Sequence, residues 1–460
     1  MMIDYFLEIM RKTPDHEALL SSKFATTYQQ LLELYDRFSC WIEQSDIPAG
    51  AVVSFDGDYS PESISLMLAL ANNRNIIVPL SSDSRNHFTE FREIAATEYD
   101  ISLDSCNDGG NPTVTNTGRA ADHRIYQQLR ERGSPGLVLF SSGSTGKSKA
   151  IVQDLEKLME KFRTPRKPLR MLIFLQLDHI GGINSLLYSL ANNGTVIVSD
   201  DRTPASVCRA IQDYKADLLP TSPTFLNLLM LSRANEEFDL SSLKLITYGT
   251  EPMQESTLQK ITKILPDATL QQTYGLSEVG ILRSKSRSSD SLWLKVGGEE
   301  FTTKIVNGTL WIKSDSAMLG YLNAPDPFDS EGFLDTGDLV EQDGDWIRIL
   351  GRASEIINVG GYKVYPAEVE STLLDMPNVD DVVVFGEEHP IMGRIVAAKF
   401  QLAEPRTSKE LKAEMLTFCK DKLQSYKIPG KIYITDDTTY NERFKRMRRV
   451  EKDANQQQQN

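Results

Sequence analysis

The sequence predicts an α/β protein: a large N-terminal domain of stacked α/β subdomains with a β-rich part, followed by a small α+β domain. Three observations carry this. Short β-branched runs alternate with helix-length segments up to about residue 250, the pattern of mainly parallel strands. From about residue 292 the texture changes to short strands separated by Gly and Asp turns. After Arg352 a smaller set of strands and helices follows, and a chain of 460 residues exceeds one ordinary core. The boundaries expected are 1–351 for the large domain, 352–450 for the small one and 451–460 for a polar tail.

The elements follow in order. "TTYQQLLELYDRFSCWIEQ" (26–44) places Leu31, Leu32, Leu34, Tyr35 and Phe38 at helical spacing. "AVVSFDG" reads as a strand, "SPESISLMLALANN" as a helix opened by Ser-Pro, and "NIIVPLS" as the next strand. The alternation continues through "MLIFLQL", "GTVIVSD", "ADLLPTS" and "LKLITYG", with helices near 181–192, 203–214 and 222–233. The polar stretch 104–120, "DSCNDGGNPTVTNTGRA", reads as a surface loop. Asn307-Gly308 and Asp343-Gly344 are hairpin-turn signals. Beyond Arg352 come "EIINVGGYKVYP", a helix at 366–376, two strands and a helix at 408–424. The tail "ANQQQQN" is low in complexity and is expected to be disordered.

Composition narrows the classes. The hydrophobic share of 40% and charged share of 25% are those of a globular protein in water. A net charge of −14 argues against general affinity for nucleic acid or anionic membrane. Cys40, Cys106, Cys208 and Cys419 lie far apart without CxxC or CxxH spacing, so neither a zinc knuckle nor a disulfide framework is expected. "MMIDYFLEIMRK" is interrupted by Asp4 and Glu8, and no apolar run approaches the roughly 20 residues of a membrane span. The expected location is the cytoplasm; the oligomeric state stays open.

The segment that carries chemistry is "GLVLFSSGSTGKSKAIVQ", 136–153. Gly146-Lys147-Ser148 resembles the end of a Walker A loop, but that motif needs Gly at 141, where this chain has Ser. It also needs a helix next, and Ala150-Ile151-Val152 favours a strand. The nucleophile elbow G-x-S-x-G fails on spacing. What remains is a loop between two strands, carrying hydroxyls, bare backbone and the cations Lys147 and Lys149. Such a loop suits a polyphosphate.

"FSSGSTGKSKAIV" resembles the signature loop of the adenylate-forming (ANL) superfamily, which includes acyl- and aryl-CoA synthetases. Further segments resemble its motifs in order: "LDHIGGINSLL" (177–187), "YGTEPM" (248–253), "QQTYGLSEVG" (271–280), "LDTGDLV" (334–340) and "GRASEIINVGGYKVYPAEVE" (351–370). "YKIPGKIYI" (426–434) and Lys445 complete the set. The similarity covers about 20–450. It departs from the family at Ser148, where the family has Pro, and at Thr439 and Phe444 before Lys445.

The resemblance implies an AMP-forming ligase. A carboxylic acid reacts with ATP to give an acyl-adenylate, then passes to a pantetheine thiol, that of CoA or of a carrier protein. It further implies that Ser142, Gly143, Ser144, Thr145, Gly146 and Lys147 hold the outer phosphates, with Thr145 among the catalytic groups. Gly249, Thr250, Glu251, Gln272, Thr273 and Tyr274 would surround adenine. Ser277 would meet the α-phosphate, Glu278 would hold Mg²⁺, and Asp338 with Arg352 would hold the ribose. Lys445 would stabilise the charge that develops during adenylation, with Lys431 as fallback. The basic run Arg443–Arg449 could equally be a solvated face. His179 and Tyr248 would border the acid, with Ile183, Asn184, Thr221 and Phe225 as further wall positions. Gly360 and Gly361 would leave room for the pantetheine arm after the small, mobile domain rotates about Ser354.

The acid expected is an unsubstituted fatty, aryl or small branched one, because "DHIGG" is similar to the His-x-Gly-Gly form of acyl ligases. Asp178 leaves an amino-acid reading open. The other readings are an enzyme loading a carrier protein and a binding protein that kept the fold.

Overall fold

The structure is a computed structural model that describes residues 1–142, 148–390, 393–441, 444 and 446–448. Two seven-stranded sheets organise the large body. The first runs Thr269–Gln272, Leu245–Tyr248, Leu218–Thr221, Arg170–Leu172, Thr195–Ile197, Glu17–Leu20 and Ala25–Thr27, parallel except for the last. The second runs Gly320–Tyr321, Ser148–Asp154, Gly136–Ser142, Ile76–Leu80, Val52–Asp56, Tyr99–Ser102 and Thr113–Asn116. Its four central strands, from Gly136–Ser142 to Tyr99–Ser102, are parallel.

One core joins both sheets. Helices Met2–Lys12, Tyr28–Gln44, Pro61–Asn72 and Ile180–Ala191 contribute Phe6, Phe38, Leu66 and Leu186, all essentially inaccessible to solvent. Burial of this apolar surface is the main driving force for the layered packing. Local signals set the helix starts. Thr27 and Gln30 form a capping box, and Ser60 accepts from Ser63 N at 3.0 Å ahead of Pro61.

A six-stranded antiparallel sheet follows, in the order Arg283–Ser286, Trp293–Gly297, Trp346–Arg352, Leu334–Asp343, Thr309–Ser314 and Phe301–Val306. Asn307 and Gly308 turn the last hairpin with φ of 52° and 80°. At the other signal the turn falls one residue later than expected, because Asp343 pairs with Trp346 and leaves Gly344-Asp345 as the corner. From Ile357 onward the chain has its own core, including Val364, Val384, Phe400 and Met415. There Gly393–Leu402 pairs with Val379–His389, Ile357–Val359 and Lys431–Ile434.

Three expectations change. The stretch 104–120 contains the edge strand Thr113–Asn116, paired antiparallel with Tyr99–Ser102. Its single partly buried apolar residue, Val114, gave too little alternation to announce a strand. "MLIFLQL" supplies only Met171 and Leu172 to its sheet, in strand Arg170–Leu172. The last helix ends at Cys419 and its predecessor at Leu373, both earlier than read.

Candidate active site

The loop 143–147 lies outside the described residues, but its base does not. Gly136–Ser142 and Ser148–Asp154 pair antiparallel up to Ser142↔Ser148. The element after the loop is therefore a strand, which removes the Walker A geometry. Asn323 fastens the return strand by donating to Ser148 O at 2.8 Å and accepting from Ala150 N at 3.0 Å.

The parallel strand ends of the first sheet build the neighbouring wall, where open α/β sheets hold ligands. Gly249 follows strand Leu245–Tyr248, and a Cβ there would stand 2.7 Å from Thr273 Oγ1 and 2.9 Å from Thr273 O. Only glycine allows the two loops to meet so closely. Thr273 N donates to Tyr248 O at 2.8 Å. Thr250 takes a positive φ of 73°. Buried Thr221 Oγ1 and Gln272 Oε1 have no hydrogen-bond partner among the described residues. Buried polar atoms are normally paired, so these mark a place shaped for a polar ligand.

Tyr274 packs into the core of the antiparallel sheet and is only 7% exposed. Its hydroxyl donates to Asp338 Oδ2. Arg352 lies directly across the strand pair and places Nε 2.8 Å from Asp338 Oδ1. Asp338 is itself buried, and burial pushes its carboxyl above the usual range against the pull of Arg352 and Tyr274. Burial also drives the Tyr274 phenol well up, reinforced by the Asp338 charge, so it stays a donor. Glu278 sits at the hairpin between Gly275–Leu276 and Gly280–Ile281. Its Oε1 accepts from Tyr321 Oη at 2.6 Å. Ser277 is held by Gln153, whose Nε2 donates to the Ser277 carbonyl.

Among the described residues no group of three or more His, Cys, Asp or Glu could hold a metal. Glu278 supplies a hard oxygen donor. That fits Mg²⁺, which keeps waters and takes one or two carboxylates together with phosphate oxygens.

His179 caps helix Ile180–Ala191, with Nδ1 accepting from Gly181 N at 3.0 Å. That bond leaves the ring proton on Nε2. Gly182 is required where it stands: a Cβ would fall 2.0 Å from Gln176 O and 2.6 Å from Tyr59 Oη. Asp178 is buried and accepts from the hydroxyls of Ser81 at 2.8 Å and Ser84 at 2.6 Å.

Residue 445 lies outside the described residues, but Phe444 and Arg446 beside it are placed. Tyr440 and Arg446 form an antiparallel bridge, and Phe444 N donates to Asn441 O at 2.9 Å. Phe444, at a φ of 52°, packs its ring 5.0 Å from Phe174 and 5.9 Å from Phe225 of the large body. Arg446 N donates to Glu251 Oε2 at 3.1 Å. The other Glu251 oxygen accepts from Thr224 N at 2.8 Å. Glu251 thus joins a helix start to the small domain's loop, a role the sequence did not suggest.

The basic run is not a solvated face at Arg446 and Arg448. Arg446 has a 2% exposed side chain and pairs with Asp381 at 2.8 Å. Arg448 bonds Glu370 at 2.8 Å and Glu355 at 2.7 Å. Burial alone would push the Glu370 carboxyl up, but the two guanidiniums outweigh it and hold it below the usual range. Thr439 donates to Asp381. Lys431, the fallback, pairs instead with Glu387 on the small domain. Gly360 and Gly361 turn the hairpin Ile357–Val359/Tyr362–Val364 beside a groove of about 860 Å³ that Glu388, His389 and Arg394 also line. Neither Asp338 nor Glu278 lines this groove.

Fold and site together define a nucleotide-handling enzyme scaffold with a docked second domain. The chain belongs to the AMP-binding enzyme family, within the adenylate-forming superfamily: the family model matches residues 6–322, and that of the AMP-binding enzyme C-terminal domain matches 368–445. It is 30% identical over 295 residues to a probable CoA ligase of Humulus lupulus, covering 57% of this chain. The chain spans 53% of that relative's length. It is 27% identical over 364 residues to the 2-succinylbenzoate–CoA ligase of Bacillus subtilis (strain 168), covering 73% of this chain and 72% of the ligase. In fold it resembles an anthranilate CoA ligase solved with anthranoyl-AMP, with a TM-score of 0.81 and 18% identity over 97% of this chain and 95% of that one. No described helix is long and apolar enough to cross a membrane.

Proposed function

We propose that this chain is an AMP-forming acid–thiol ligase, using ATP to activate a carboxylic acid and passing the acyl group to CoA. The observation that carries the reading is the docking of the Tyr440–Arg446 bridge against the loop of Glu251, while Asp338 stands on strand Leu334–Asp343 and Glu278 on a turn of the large body.

In the first half-reaction an oxygen of the acid attacks the α-phosphorus of ATP, and the bond to the β-phosphate oxygen breaks. The acyl-adenylate and pyrophosphate result. Asp338 accepts from the ribose hydroxyls while Tyr274 and Arg352 hold its two oxygens in place. Glu278 is the carboxylate that would hold Mg²⁺, which offsets phosphate charge when bound. Residues 142–147 hold the leaving pyrophosphate. Lys445 stabilises the charge shared by the acid, the α-phosphate and the bridging oxygen. In the second half-reaction the thiol loses its proton, its sulfur bonds to the acyl carbon, and AMP departs with the electron pair of the broken C–O bond. The small domain, residues 352–450, turns about Ser354 between the two steps and brings Gly360 and Gly361 to the thiol's path.

Asp178 supports an acid without an α-ammonium, because its carboxylate is already taken by Ser81 and Ser84. The relatives' names favour CoA over a carrier protein as acceptor. Product analysis tests the acceptor. The purified protein, ATP and an activated acid are offered CoA and, separately, a pantetheinylated carrier. Thioester on CoA is the expected outcome; thioester on the carrier alone overturns the CoA assignment.

A further inference from the structure

The small domain places an aromatic ring against a core of the large body. Phe444 packs on the cluster that holds Phe174, Phe225, Leu226 and Tyr248. Phe174 and Phe225 are buried and their ring centres lie 4.5 Å apart, so the socket is built by the large body itself. Arg202 forms its rim. The guanidinium carbon stands 5.2 Å from the centre of the Phe444 ring and 6.0 Å from that of Phe174, within reach of both ring faces. Asp83 pairs with Arg202 and accepts from Gln176 Nε2 at 3.3 Å, which fixes the cation in place. On its own domain the Phe444 ring stacks on Tyr440, with centres 5.4 Å apart and planes 13° from parallel.

The backbone shows that this placement is imposed. A φ of 52° is a left-handed conformation that a bulky side chain avoids. It persists only where the surroundings over-determine it. Here they are the Tyr440–Arg446 bridge, the bond from Phe444 N to Asn441 O and the socket across the domain boundary. Thr439 and Phe444, the two departures from the family's pattern in this segment, divide the work. Thr439 donates to Asp381, which pairs with Arg446 inside the small domain. Phe444 faces the other domain. An aromatic anchor in a prepared pocket carries much of the energy of an interface. A contact made in one domain arrangement and lost in the other shifts their balance by its own strength. The next residue in the chain is Lys445, assigned above to acid activation.

We propose that Phe444 is a positioning residue: its ring anchors the small domain on the large body for acid activation and holds back the turn to thiol transfer. This deepens the ligase reading and rests on it. The ring must leave its socket before the domain turns, so the balance between the two half-reactions is set at this side chain.

The test uses Phe444→Gly, which removes the ring and relaxes the backbone at once, and Phe444→Leu, which keeps apolar bulk. Docking is read without activity, as the rate of disulfide formation in a Ser256→Cys/Ser371→Cys background, where the parent hydroxyls lie 3.4 Å apart across the boundary. Phe444→Gly is expected to slow that rate about tenfold or more and to lower kcat for acyl-adenylate formation by a similar factor, with the KM for ATP little changed. Thioester formation from supplied acyl-adenylate and CoA should be kept or faster. Phe444→Leu should fall between Phe444→Gly and wild type. Wild-type cross-linking or wild-type activation in Phe444→Gly overturns the proposal, as does an equal loss in both half-reactions. Melting temperatures report folding, and Phe444→Leu is read in its place if Phe444→Gly does not fold. If no acid supports activation, the ligase reading fails and the cross-linking rate alone decides: slowing upholds the anchor, and an unchanged rate overturns it.

Discussion

Asp338 holds two donors before any nucleotide arrives, Tyr274 Oη and Arg352 Nε. Its remaining lone pairs can accept from two hydroxyls, the match a ribose needs. Asp338→Asn keeps the shape and removes the charge. Loss of charge-assisted hydrogen bonds should raise the KM for ATP about tenfold or more, measured in steady-state kinetics. The stability effect has a definite sign. Burial raises the folded-state pKa of Asp338 above its unfolded value. The stability from this group is then fully present below the unfolded pKa and lost as pH rises through the folded one. At neutral pH the variant should melt no lower than wild type, with any advantage vanishing in acid; a clearly lower melting temperature at pH 7 contradicts this. Asp338 and Glu278 stand out as candidates because each sits in a short contiguous pattern. The link from Arg446 to Glu251 does not, because it joins segments far apart in the chain.

Among the elements, the C-terminal hairpin shows the same contrast. Its basic residues looked like a solvated run, since nothing nearby in sequence announces Asp381 or Glu370. In the fold, Arg446 and Arg448, two residues apart, turn inward to those carboxylates. Glu370 also accepts from Val384 N at 3.0 Å, so the network ties a helix, a strand and the hairpin together. Removing one partner of a buried pair typically costs about 3–5 kcal/mol, because the other charge is left uncompensated. Arg448→Ala should destabilise the C-terminal core by an amount of that order in urea unfolding. Arg449→Ala serves as the companion measurement. A loss below about 1 kcal/mol in Arg448→Ala would be the value of an exposed pair and would contradict the network. The strand Thr113–Asn116 was hidden for a related reason. An edge strand with one inward apolar residue owes its existence to its neighbour Tyr99–Ser102 rather than to its own pattern.

At the scale of the whole molecule, the two domains meet through Phe444 against Phe174 and Phe225 and through polar contacts. Lys260 donates to Leu374 O at 3.1 Å and pairs with Asp375 at the same distance. Ser256 N donates to Ser371 Oγ at 3.3 Å, and the two hydroxyls lie 3.4 Å apart. Such a contact suits an interface that must open. The paired changes Ser256→Cys and Ser371→Cys place two sulfurs close enough to bridge. Oxidised, this variant should form acyl-adenylate but little thioester, and reductant should restore the second step. Equal thioester formation by the oxidised and reduced forms would contradict the rotation. The layered α/β architecture was readable from alternation alone, whereas the docking of the domains was not, since it depends on single side chains, Phe444 among them, from distant segments.

The most direct test of acid activation is exchange of labelled pyrophosphate into ATP by the wild-type chain across a panel of mono- and dicarboxylic acids. The account predicts exchange that requires an acid and falls sharply in Lys445→Ala. A folded protein that supports no exchange with any acid of the panel would contradict it.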